Sequence, residues 1–270
     1  MGMRNFKTFV KMNTNGNTIK RASLIVAALL FASIWLVSDA AAQWFKKTAK
    51  PEEHITLVTN PGGEGPELDV TFIKGSGFNH PLMVFWIEDL EGNYIQTLYV
   101  SRSIARGVYD YGDKHTGRWM PGEISRPAAL PYWAHKRNIL NDIGNYMPKP
   151  GFEVADAYSG ATPKASFTLE TRPDKSVSGK FRILMEINQT WDWNRYWTNN
   201  KFPGDKEYRT SSQPAVVYAA ELDPQEKCVE VVMKPIGRSH HSGADGRLYS
   251  DLETLTTALQ IASEVRVKLK

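Results

Sequence analysis

From Glu67 onward, apolar and polar residues alternate every second position, the period of a strand with one face buried. Leu68, Val70 and Phe72 open the pattern, and residues 81–100 (PLMVFWIEDLEGNYIQTLYV) read as two strands joined through Asp89-Leu90-Glu91-Gly92-Asn93, a hairpin signal. Further strands are predicted at 165–169, 180–188, 215–222, 228–234 and 264–269. Helical spacing is scarce. Ser250-Asp251-Leu252-Glu253 has the form of a capping box, and Leu252, Leu255, Leu259 and Ala262 recur behind it at helical intervals, predicting a short helix near the C-terminus. A second helix is predicted through Ala128 to Leu140. Many short strands, few helices and frequent Gly/Pro turns predict a mainly β fold, an antiparallel β-sandwich for which an immunoglobulin-like arrangement is one form. It is expected to span 67–270, with long loops at 101–160 and 190–214. Function is expected in those loops, mounted on a rigid platform.

The chain before residue 67 follows other rules. An uninterrupted apolar run at 22–37 (ASLIVAALLFASIWLV) comes directly after Lys20-Arg21, and Ala40-Ala41-Ala42 follows it. A basic start, an apolar run shorter than the ~20 residues a bilayer span needs, and a small-residue site make a cleavable export signal over 1–42. Cleavage is expected before Gln43, giving a periplasmic or secreted protein. With no cysteine near that site, the usual lipoprotein attachment is excluded. Residues 43–66 are polar apart from Ile55-Thr56-Leu57-Val58, contain Pro61-Gly62-Gly63, and read as a tether or a peripheral strand.

Composition narrows the function classes. The 270 residues include 33 Lys and Arg against 29 Asp and Glu, and part of that surplus lies in the segment expected to be removed. No basic stripe with interleaved aromatics is present, so no nucleic-acid partner is expected. Cys228 is the single cysteine, which excludes an intrachain disulfide; its neighbours Glu226, Lys227, Val229 and Glu230 predict a half-buried strand and a packed, inert thiol. Adjacent His240 and His241 would point to opposite faces of an extended chain and could not share an ion, so no metal is expected. No serine occupies a nucleophile elbow, and no catalytic residues are assigned.

The segment with chemistry is Asp156-Ala157-Tyr158-Ser159-Gly160-Ala161-Thr162. It fits the pattern Asp, two free positions, Ser or Thr, Gly, Ala, then Ser or Thr. By average residue usage a chance match in such a chain is on the order of one in a thousand. The segment resembles the motif recognised by bacterial flavin transferases, which use Mg²⁺ and FAD to attach FMN through a phosphoester to the last Ser or Thr. The resemblance implies that Thr162 is the acceptor of a covalent FMN and that Asp156 anchors the segment to the transferase. The residue types suit the reaction. A hydroxyl is the nucleophile, while slim Ser159, Gly160 and Ala161 let a second protein close over the backbone, and Pro163 favours a turn.

More broadly, Val84-Phe85-Trp86-Ile87-Glu88-Asp89, then Gly92 and Thr97-Leu98, a Trp/Pro/Arg-rich stretch and the 156–162 segment resemble a family of predicted periplasmic proteins of uncharacterised function. The likeness covers most of 67–235 and implies two partners, an FAD-dependent flavin transferase and a membrane-bound redox component. Two clusters could serve the flavin ring. Trp191-Asp192-Trp193-Asn194-Arg195-Tyr196-Trp197 offers rings for stacking, with Trp193 the leading candidate, and Trp119, Trp133 and Tyr158 offer others; the same rings could cap the sandwich or grip a glycan. His135, Lys136 and Arg137 could place a cation beside the flavin pyrimidine, or form a solvated basic face. The expected function is an extracytoplasmic electron carrier, more a relay than a self-contained enzyme. The alternative is a non-catalytic secreted module that binds a glycan or protein through 191–197.

Overall fold

The computed structural model describes residues 53–112, 120–148, 159–226 and 228–270. Eight strands build most of the fold: β1 (His54–Thr59), β2 (Leu68–Lys74), β3 (Leu82–Asp89), β4 (Tyr94–Ser101), β8 (Ser166–Thr171), β9 (Phe181–Asn188), β10 (Val216–Leu222) and β13 (Ala262–Leu269). Short strands β5 (Tyr109–Tyr111), β6 (Pro121–Ile124), β7 (Ser159–Gly160), β11 (Glu230–Val232) and β12 (Lys234–Arg238) complete the set. One sheet has five strands in the order β1-β8-β2-β13-β11, and the other has six in the order β12-β10-β9-β3-β4-β7. Pairing is antiparallel except at two edges, where β1 runs parallel to β8 and β7 parallel to β4. The fold is therefore the expected mainly β, antiparallel sandwich.

The sandwich core follows from the period-2 pattern. Leu68, Val70 and Phe72 of β2 and Phe167 and Leu169 of β8 face Met83, Phe85 and Ile87 of β3 and Ile183, Met185 and Ile187 of β9. Phe167 ties the sheets together, stacking on Phe72 at 5.1 Å and meeting Phe85 edge-on at 6.3 Å. At the middle of the sheet the intervening residues of β3 and β9 include apolar ones as well. Val84, Trp86 and Leu184 face away from the sandwich into a second apolar cluster with Ile104, Ala105, Leu130 and Trp133. Both faces of the six-stranded sheet are thus covered at its centre, which is why residues 82–87 of β3 read as a continuous apolar run.

That second layer lies in the long loop predicted at 101–160. Its described part contains helix α1 (Arg102–Ala105), the β5–β6 pair and helix α2 (Pro131–Arg137). Helix α2 lies within the predicted 128–140; Pro131 starts it, and Asn138 in the left-handed region (φ 56°) ends it. Glu186 of β9 reaches its first turn and accepts the Tyr132 and Trp133 backbone N–H groups at 3.1 and 2.8 Å.

Three expectations differ from the structure. The predicted C-terminal helix is a run of turns ending in one 3₁₀ turn at Thr257–Gln260, followed at once by β13. The strand predicted at 228–234 is divided between the sheets, since β11 pairs with β13 and β12 pairs with β10. Cys228 precedes both, is exposed and adopts a positive φ of 59°, so it is not a packed thiol. Of the two readings of 43–66, the peripheral strand is the one seen at residues 54–59. The export signal at 1–42 lies outside the described residues.

Candidate functional site

Thr162 lies in the irregular link between β7 and β8, at the end of the sandwich where β4 finishes. The parallel pairing of Val100 with Ser159 and Ser101 with Gly160 sets its position. Two further contacts fix the link. The Tyr99 hydroxyl is within reach of the Gly160 and Ala161 carbonyls at 3.4 and 3.2 Å, and burial raises its pKa well above the usual phenol range, so it acts as a neutral donor. Gly160 lies flat on the Tyr99 ring, where an added Cβ would come within 3.2 Å of Cε2.

The Thr162 hydroxyl, half-buried, donates to the Ser101 Oγ at 3.1 Å, and that same Oγ accepts the Met83 backbone N–H at 3.0 Å. The Thr162 hydroxyl, expected to be displayed on a turn, thus faces partly inward. Thr162 and Ala161 form a wall shared by two clefts. The larger, about 580 Å³, lies between β1 and residues 160–165 and is lined by Ile55, Leu57, Tyr99 and Pro163 with Glu53 and Lys164. The smaller, about 320 Å³, is lined by Arg102, Arg106, Val108, Tyr109 and Tyr111.

The other expected site residues are dispersed. Asp156 and Tyr158, with Ala157 and Trp119, lie outside the described residues. Trp193, His135 and Arg137 line neither cleft at Thr162. Trp193 packs on the sandwich core and meets Tyr208 edge-on at 5.6 Å. His135 lies against Tyr146 at 4.1 Å with Nε2 3.2 Å from the Gly243 carbonyl, and the Arg137 guanidinium is over the Trp133 ring at 5.2 Å. Their neighbour Lys136 donates to the Gly92 carbonyl at 2.7 Å, inside the β3–β4 turn. Ser101 is at the opposite end of β4, roughly 25–30 Å away at the rise of about 3.3 Å per residue. Lys136 therefore serves the turn end of the sheet, while His135 and Arg137 are engaged with Tyr146, Gly243 and Trp133.

Most of the 191–197 cluster is structural. Trp197 is 3% exposed, donates from Nε1 to Thr254 Oγ1 at 3.1 Å, and packs with Phe202, Tyr208 and His241. Of the cluster's aromatic residues only Trp191 and Tyr196 turn outward, at 46% and 51% exposure. His240 and His241 lie in a turn, not a strand, so their rings are 4.2 Å apart instead of on opposite faces. His241 stacks on Phe202 at 4.0 Å, and burial pushes its pKa down to about 4. Among the described residues no group of three or more His, Cys, Asp or Glu could hold a metal.

Sequence reasoning missed Ser101, Arg102 and Arg106. A signal existed, because two arginines one helical turn apart directly follow a strand end, but nothing in the sequence placed them beside residue 162. The chain matches no family model, no curated protein and no solved structure.

Proposed function

We propose that this chain is an exported flavoprotein that carries FMN covalently on Thr162 and relays electrons outside the cytoplasm. One observation carries the reading: Thr162, the last residue of the 156–162 motif, lines two clefts of ligand size. The apolar segment at 22–37 supports it, since an export signal would deliver Thr162 to the compartment where flavin transferases act.

In the attachment reaction the Thr162 oxygen takes the FMN phosphoryl group from FAD. The diphosphate bond breaks, AMP leaves with the bonding electron pair, and the hydroxyl proton passes to a base of the transferase, which also supplies Mg²⁺. Freeing the hydroxyl from Ser101 breaks one neutral hydrogen bond, a cost of about 1 kcal/mol. Tyr99 and Gly160 hold the acceptor backbone in place meanwhile. When bound, FMN supplies one- or two-electron transfer. Ile55, Leu57, Tyr99 and Pro163 of the larger cleft would hold it and shield it from water, and a membrane-bound redox component is the proposed partner. Covalent attachment suits an extracytoplasmic carrier, because a dissociable cofactor would be lost by diffusion.

Co-expression with a flavin transferase tests this. After denaturation, yellow fluorescence should stay with the polypeptide, the intact mass should rise by FMN minus water, and the mature N-terminus should be Gln43. Thr162→Ala should remove the fluorescence and the mass gain. Colourless wild-type protein, or a flavinylated Thr162→Ala variant, would overturn the assignment. A second reading, a glycan- or protein-binding module, draws on the exposure of Trp191 and Tyr196 at 46% and 51%. It expects glycan binding without any flavin.

A further inference from the structure

The geometry points to a division of labour between the two clefts: the larger seats the isoalloxazine ring of a group tethered at Thr162, while Arg102 and Arg106 hold its phosphoester from the other side. This inference rests on Thr162 being the acceptor. The tether selects the occupant, because Thr162 lines both clefts and whatever is bonded to its oxygen starts on their common wall. The larger cleft, about 580 Å³, falls within the ~300–1,000 Å³ typical of ligand sites. Its apolar walls suit a flat aromatic system. Ile55 and Leu57 come from edge strand β1, Tyr99 from β4, and Pro163 follows the acceptor.

The smaller cleft has the opposite chemistry. Arg102 and Arg106 lie one helical turn apart, and two guanidiniums at that spacing can close on phosphate oxygens with charge-assisted hydrogen bonds. Arg106 is paired with Asp110 at 3.4 Å, but both partners are exposed, so exchanging Asp110 for a phosphate costs little. The ring then lies against protein on the β1 side, and the charge of the phosphoester is neutralised on the α1 side.

The test uses full-length protein flavinylated by co-expression, with intact mass measured first and ring exposure second. In wild type, flavin fluorescence should be quenched relative to free FMN and shielded from iodide. Leu57→Arg should leave the mass gain in place while iodide quenching rises several-fold and fluorescence recovers. If Leu57→Arg does not fold, Leu57→Ser should show the same change at smaller size. Arg102→Ala combined with Arg106→Ala should keep the mass gain and the ring shielding, while ³¹P NMR of the phosphoester moves toward the free-ester position. A mass gain with a ring already open to iodide in wild type, or no response to either Leu57 change, overturns the seating of the ring. A phosphorus signal unchanged in the double variant overturns the arginine clamp. No mass gain in wild type sinks the acceptor assignment itself, and this inference with it.

Discussion

Glu186 is a carboxyl group with no exposure at the centre of a sheet, and its surroundings pull its proton affinity in two directions. Burial, the larger effect, raises its pKa to about 8, while the N–H groups of Trp133 and Tyr132 and the Ser239 hydroxyl act to lower it. A carboxyl raised above its ordinary value of 4.5 binds more protons in the folded state, so folding stability falls as pH rises from about 4.5 through about 8. A tenfold difference in proton affinity between folded and unfolded chain corresponds to about 1.4 kcal/mol, and relaxation around the buried charge holds the total to a few kcal/mol. His241 acts oppositely. Held near 4 by burial, it adds stability as pH rises from about 4 to its unfolded value of 6.5. The two groups separate between pH 6.5 and 8, where the Glu186 slope stands alone. Urea unfolding at several pH values should therefore show stability declining across that interval, and Glu186→Gln should flatten the decline. A wild-type profile that is flat or rising there would show that the two helix-end N–H groups, and not burial, control Glu186.

At the level of elements, α2 is held to the outer face of the six-stranded sheet mainly by Trp133, which is fully buried and donates from Nε1 to Thr97 Oγ1 at 2.8 Å. Trp133→Ala should cost about 3–5 kcal/mol, whereas Trp133→Phe, which keeps most of the packing and loses the hydrogen bond, should cost about 1–2 kcal/mol. Both can be measured by chemical denaturation; equal losses would mean that the indole hydrogen bond contributes nothing. Helix α2 and the β3–β4 hairpin were legible in sequence because their signals are local: Pro131 at a helix start, and Gly92 with a φ of 86° in a turn. The C-terminal helix was misread because Asp251 of its capping box and the threonines behind it have tertiary partners. Asp251 pairs with Arg238 at 2.8 Å, Thr254 receives the Trp197 indole N–H, and Thr256 and Thr257 bond Gln213. Side chains committed elsewhere leave the backbone free to turn, and three β-branched residues in four weaken the helix further. Of the residues around the two candidate clefts, the sequence singled out as site residues only those of the 156–162 segment. Its neighbours Ser101, Arg102 and Arg106 come from some sixty residues earlier in the chain, joined to it by the parallel pairing of β7 with β4, and no local pattern announces a parallel pair.

Across the whole molecule, protection from solvent is arranged in depth. The six-stranded sheet is covered on both faces at β3 and β9, by the five-stranded sheet on one side and α1 and α2 on the other, whereas β1, β7, β11 and β12 are edges. Opening β3 or β9 exposes both apolar clusters at once, so their amides should exchange only through global unfolding. Edge strands open at lower cost, since each gives up hydrogen bonds to a single neighbour. This gradient bears on the proposed function, because β1 and β7 border the Thr162 clefts and belong to its low-stability end. On the proposed function a transferase would have to close over residues 156–162, and a strand that frays locally could yield to it while the core stays folded. Hydrogen exchange read by mass spectrometry should place residues 82–89 and 181–188 in the slowest class, with 54–59 and 159–165 exchanging at least about tenfold faster, a gap of about 1.4 kcal/mol or more in local opening. Flavinylation should slow exchange at 54–59 and 159–165 and leave the two central strands unchanged, because a ring packed against β1 and Tyr99 stabilises only the closed form of that end. Slow exchange at 159–165 before modification would mean that the acceptor is rigidly presented, and that the transferase recognises it without any opening of the sandwich.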